Sequence, residues 1–239
     1  MPAKNSLKQY VENSYYHIYN RGVEKRLIFL DEQDHGIFLS YLKEYLLPKN
    51  INFLQSIIAS PTTPSKEKSR ALKRLRLNNF HGEITLIAYS LMPNHFHFLI
   101  KQKSALSIDK FMNSLATRYT MYFNRKYKRV GALFQAVYKA VIVETDIQLL
   151  YLTKYLHRQA LRKPRYFSAK KSASKGEALR SWKVVQPCSY PEYLGQRKTE
   201  WVKPDEVLYF FSRENPLLSY RAFIEEFEDL SMIQNITLE

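Results

Sequence analysis

Stretches of strand-like and helix-like patterning succeed one another along the first two thirds of this chain. Tyr15-Tyr-His-Ile-Tyr19 is aromatic and β-prone, and Asn20-Arg-Gly22 follows as a turn, which predicts a first strand ending there. Asp31 is placed to cap a helix whose apolar positions Phe38, Leu39, Leu42 and Tyr45 run towards Pro48. Residues 49 to 82 read as an insertion: a loop containing Pro61-Thr-Thr-Pro64, then a basic helix over Lys66 to Arg76. Ile84 to Leu91 and His95 to Lys101 predict a hairpin turning at Pro93-Asn94. Phe111, Leu115, Tyr119 and Tyr122 stand at helical spacing in a long helix from about Ser107 to Arg129, ended by Gly131. Ala132 to Val143 reads as a fourth strand, and Asp146 as the cap of a helix to about Arg162.

The predicted order is β, α, β, β, α, β, α. An α+β fold follows, with a ferredoxin-like, RRM-like antiparallel sheet carrying its helices on one face and one further helix appended. After Arg162 the composition turns basic and Ser/Lys-rich from Lys163 to Lys175, which reads as a mobile connection. Residues 182 to 239 contain both tryptophans and run acidic over Glu225-Glu-Phe-Glu-Asp229; a small helical extension packed on the core is expected. The domain expectation is therefore a catalytic unit over 1–162 and a linker with extension over 163–239. No internal repeat is found.

Charge narrows the partner. Lys and Arg number 37 against 22 Asp and Glu, a net charge of +15, which favours a polyanion through phosphate neutralisation and counterion release. Nucleic acid leads and an acidic membrane surface is second. The single cysteine, Cys188, excludes an internal disulfide and a Cys-based zinc finger. With no apolar leader and no stretch near the roughly 18 apolar residues of a membrane span, the expected location is the cytoplasm.

The candidate chemistry begins at His95-Phe96-His97. On a strand, residues i and i+2 point the same way, so both imidazoles can share one metal ion while Phe96 and Phe98 face the core. The same pair also suits two polar positions on a half-buried strand. In the last predicted helix Tyr155 and Gln159 stand at i and i+4, about 40° apart around the axis and about 6 Å along it, so both project from one face. A glutamine oxygen with two imidazoles suits Mg²⁺ or Mn²⁺ with open positions, rather than a closed zinc site. A tyrosine beside such an ion can attack a phosphodiester. Tyr151, Leu152 and Tyr155 also fit an ordinary aromatic-aliphatic helix stripe.

Several motifs in order resemble one family. A first strand ends in Asn20-Arg-Gly22; Met92-Pro-Asn-His-Phe-His97, Tyr119-Thr-Met-Tyr-Phe-Asn124, Gly131-Ala-Leu-Phe-Gln135, Tyr138-Lys139, Tyr155-Leu-His157 and Pro187-Cys-Ser-Tyr-Pro-Glu-Tyr-Leu-Gly195 follow. Together they resemble the single-tyrosine HUH transposases, and more closely the branch of REP-associated tyrosine transposases, over residues 14 to 211. The resemblance implies an HUH endonuclease fold, His95 and His97 as metal ligands, and Tyr155 as nucleophile. It also implies a 5′-phosphotyrosine intermediate and a substrate of single-stranded DNA with hairpins at repetitive extragenic palindromes. Gln159 matches the Tyr-x-x-x-Gln arrangement of related insertion-sequence transposases. Many REP-associated members have Tyr-Ile-His-x-Asn-Pro there, and this chain has Arg158-Gln159-Ala160 instead.

Arg21, Arg118 and Lys139 are candidates to line a DNA backbone channel, with Lys73, Arg74 and Arg76 of the basic insertion as a clamp. His157, on another helical face from Tyr155 and Gln159, reads as structural or hydrogen-bonding. Two other readings remain: a non-catalytic nucleic-acid-binding module on the same fold, and a metal hydrolase using the two histidines without a tyrosine intermediate. Monomer and homodimer are both compatible, because the nucleophile helix can dock in cis or in trans.

Overall fold

The computed structural model describes residues 10–162, 183–226 and 233. Strands β1 (Tyr15–Arg21), β2 (Ile84–Met92), β3 (His95–Gln102) and β4 (Lys139–Val143) form one antiparallel sheet in the order β2-β3-β1-β4. The first and third strands are central, as in the ferredoxin-like arrangement expected from the element order. Alternation sorts the side chains. Tyr16 and Ile18 of β1 and Phe96, Phe98 and Ile100 of β3 enter one core, leaving Tyr15, His17, Tyr19, Arg21, His95, His97 and Leu99 to the opposite face.

Helices α1 (Glu32–Leu46) and α4 (Ser107–Lys126) cover the first face with Phe38, Leu42, Phe111, Leu115 and Tyr119. Phe98 is fully buried among them, and Phe98→Ala would cost about 3–5 kcal/mol. Asp31 caps α1, accepting from the backbone N–H of Asp34. The aromatic motif on α4 is spent on this junction: Tyr119 donates to the Ile28 carbonyl at 2.6 Å and Tyr122 to Asp34 at 3.0 Å. Lys126 and Tyr127 also reach Asp34, each at 2.8 Å.

The insertion is a helical hairpin of α2 (Ile51–Ala59) and α3 (Ser65–Arg76). Helix α2 replaces part of the loop expected before the basic helix. Asn50 caps it by accepting from Phe53 N–H, and Ile51, Leu54, Ile57 and Ile58 stand at helical spacing along it, although only Leu54 is buried. The fourth strand is shorter than expected. Leu133 and Phe134 are adjacent and both buried in the first core, which strand alternation does not allow, so the chain reaches β4 only at Lys139. Helix α5 (Asp146–Ala160) is capped by Thr145, whose hydroxyl accepts from Gln148 N–H, one residue before the expected cap.

Helix α5, the appended helix, lies on the opposite face from α1 and α4, packing Leu149, Leu152 and Leu156 onto Ile87, Ala88, Leu99 and Val143. A register shift between Leu86 and Ala88 brings Ile87 and Ala88 to the same side. The later segments buttress α5: a two-residue ladder of β5 (Leu161–Arg162) with β6 (Lys183–Val184), then α6 (Tyr190–Tyr193), α7 (Asp205–Leu208) and α8 (Tyr220–Glu225). Tyr190, Tyr193, Val207, Tyr220 and Ile224 join the α5 core. Backbone bonds from Leu91 N to Pro187 O and from Ser189 N to Tyr89 O cover the outer edge of β2. His157 is buried, bridging Tyr220 Oη at 2.7 Å and Ser189 Oγ at 2.8 Å, and burial holds its pKa near 3. The stretch read as a connection, 163–175, lies outside the described residues. Among the described residues no helix is long and apolar enough to cross a membrane.

Candidate active site

The site forms where α5 crosses the end of β3. The tight turn at Pro93-Asn94 starts β3 at His95, so His95 and His97 both face α5. Across the ladder, Arg21 is paired with His95 and Tyr19 with His97. Tyr155 brings its ring edge-on to His97, 5.6 Å between centroids and 86° between planes, and lies 6.3 Å from the ring of His17. One turn further along α5, Gln159 Oε1 stands 3.2 Å from His95 Nε2. Tyr155, Gln159, His95 and His97 therefore meet within one chain, with α5 docked on its own sheet.

The donor set fits a divalent cation. His95 Nδ1 lies 2.6 Å from Asn94 Oδ1 and donates to it, which leaves Nε2 as a lone pair facing the Gln159 oxygen. Neighbouring ligands at right angles around an octahedral ion, each about 2.1 Å from it, are about 3 Å apart. His97 Nε2 is buried and has no hydrogen-bond partner among the described residues. Burial, and then the charges of His17, His95 and Arg21, depress the His97 pKa well below the usual histidine range, so its imidazole is neutral, the form that ligates. Among the described residues no group of three or more His, Cys, Asp or Glu side chains is placed to hold a metal ion.

Of the cationic candidates, two reach this face. Arg21 lies on the histidine side of β1 and acts electrostatically on His97, and Lys139 Nζ sits 5.6 Å from the centre of the Tyr19 ring, which itself stacks on His97. Arg118 does not. Its guanidinium pairs with Glu44 at 2.6 Å and covers the Tyr41 ring at 3.7 Å, joining α4 to α1 across the sheet from the histidines. Lys73, Arg74 and Arg76 stand on α3, and Arg74 pairs with the same Glu44 at 3.7 Å in the last turn of α1.

His17 is the residue that sequence reading missed. It is fully buried, with Nε2 2.9 Å from His97 Nδ1 and its ring stacked on those of Tyr19 and His97. The available signal was phase: His17 precedes Arg21 by four residues on one strand and so shares its face.

Residues 65–159 match the family model described as "Transposase IS200 like", a segment that includes both histidines of β3, Tyr155 and Gln159. None of the curated proteins matches the chain. Among solved structures, one similar chain is a REP-associated tyrosine transposase bound to a REP hairpin, at 9% identity and a TM-score of 0.38, covering 65% of this chain and 71% of that one. Another, from Deinococcus radiodurans R1 and described as a candidate transposase, is 14% identical with a TM-score of 0.34, covering 65% of this chain and 97% of that one. Over residues 65–159, from the basic helix to Gln159, this chain is similar to the IS200-like transposases.

Proposed function

We propose that the protein is a divalent-metal-dependent enzyme that cleaves and rejoins hairpin-bearing single-stranded DNA, with Tyr155 as nucleophile. The observation that carries this reading is the meeting of the Tyr155 ring with His97 while Gln159 Oε1 stands 3.2 Å from His95 Nε2. His95, His97 and Gln159 would hold Mg²⁺ or Mn²⁺. Such an ion, when bound, polarises a phosphoryl oxygen and offsets the charge that develops in the transition state.

Tyr155 Oη attacks the phosphorus and loses its proton, balanced by the one that the leaving 3′ oxygen takes up. The P–O3′ bond breaks, the 3′ oxygen takes up a proton as it leaves, and the downstream fragment stays on the protein as a 5′-phosphotyrosine. Attack by another 3′-hydroxyl reverses the step and restores Tyr155, so rejoining needs no nucleotide cofactor. Arg21 and Lys139 bind and orient the phosphates beside the site. The hairpin, and the orientation of the cut, rest on the motif resemblance to REP-associated tyrosine transposases.

The test is to incubate labelled hairpin DNA and Mg²⁺ with wild type and Tyr155→Phe, and to look for a protein–DNA band that survives denaturant. Wild type should give one and the variant none. An adduct on the variant removes Tyr155 from the role, binding without cleavage by wild type indicates the non-catalytic module, and cleavage without an adduct indicates the hydrolase.

A further inference from the structure

We propose that His17 is a positioning residue that holds His97 in the one tautomer able to ligate a cation through Nε2. The inference rests on the reading of His97 as a ligand given above. His17 lies diagonally across the β1–β3 ladder, opposite Leu99 and next to the Tyr19–His97 pair. Its Nε2 is 2.9 Å from His97 Nδ1, and both side chains are buried, so water does not compete for this bond.

Two neutral arrangements of that bond exist. With His17 Nε2 as donor, the His97 proton sits on Nε2, where a buried N–H has no partner among the described residues. With His17 Nε2 as acceptor, His97 carries its proton on Nδ1 and keeps a lone pair on Nε2. The second leaves no buried N–H of His97 unsatisfied and supplies a ligand atom. It also means that His17 cannot itself ligate through Nε2, because that atom is taken up by the bond. The arrangement matches the general rule that a ligating imidazole has its other nitrogen fixed by a partner, and loss of such a partner weakens metal binding by about 10–100-fold. The stacked rings of Tyr19, His17 and His97 hold both imidazoles in plane for the bond, with 18° between the two.

The experiment uses the full chain with ¹⁵N-labelled histidine at about pH 8, where unperturbed imidazoles are neutral. Long-range ¹H–¹⁵N spectra without metal or DNA should show His97 protonated on Nδ1 in wild type and in His17→Gln, whose amide oxygen can still accept. His17→Phe, which keeps a stacking ring and removes the acceptor, should shift His97 to the Nε2 proton. Mn²⁺ titration without DNA should show affinity falling about 10–100-fold for His17→Phe and by less than about threefold for His17→Gln. Wild-type His97 protonated on Nε2 overturns the proposal, and this measurement needs no variant. So does equal loss of Mn²⁺ affinity in both variants, which would mark a packing role, or unchanged affinity in a folded His17→Phe. An Nδ1-protonated His97 in a protein that forms no DNA adduct would leave this proposal standing and overturn the nucleophile reading alone.

Discussion

The Tyr155 ring meets the His97 ring edge-on within a single chain, 5.6 Å between centroids. If that docking is the working one, nucleophile and ligands act in cis. A mixture of Tyr155→Phe protein with His97→Ala protein should then give no covalent DNA adduct under conditions where wild type does. Recovery of adduct in the mixture would place the nucleophile of one copy in the site of another.

Of the three donors proposed for the metal ion, Gln159 is the amide. Replacing it by Ala should raise the Mn²⁺ concentration for half-maximal adduct formation at least about tenfold, with Tyr155 chemistry partly recovered at high metal. Unchanged metal dependence would return Gln159 to being a hydrogen-bond partner of His95.

The basic residues should separate by face. Arg21→Gln and Lys139→Gln should each weaken single-stranded DNA binding and reduce the slope of log affinity against log salt by about 1. Arg118→Gln should leave that slope unchanged and instead lower stability by about 1 kcal/mol, because it breaks a pair with Glu44 and a stack on Tyr41. Fluorescence anisotropy across a salt series, with urea unfolding alongside, reads both. The α3 residues Lys73, Arg74 and Arg76 should alter the salt slope with no effect on cleavage at saturating DNA.

Asp34 predicts a pH signature. Burial alone would raise its pKa, but Lys126, the Leu30 N–H and the hydroxyls of Tyr127 and Tyr122 hold it below the usual 3.8. A depressed carboxylate contributes stability that is present above the unfolded-state value and lost as pH falls through the folded one. Asp34→Asn should therefore be less stable than wild type by about 2–4 kcal/mol at neutral pH, with the gap closing below about pH 4. A gap that stays constant down to about pH 2 would show that the loss is one of packing.

What the sequence determined by itself was local. Period-two and period-3.6 patterns are written in neighbouring residues, so the β, α, β, β, α, β, α order, the shared face of His95 and His97, and the shared face of Tyr155 and Gln159 were all legible. Tertiary structure decided everything that depends on which surfaces meet. Helix α5 could be read as carrying a tyrosine and a glutamine on one side, but only its packing of Leu149, Leu152 and Leu156 on β2 and β3 turns that side onto the histidines. Arg118, on the long helix, read as a candidate for a DNA channel until α1 placed Glu44 and Tyr41 beside it. His17 and His97 are 80 residues apart, and no spacing rule links them. A cross-strand neighbour is set by sheet order and register, and these follow from burying two apolar faces at once.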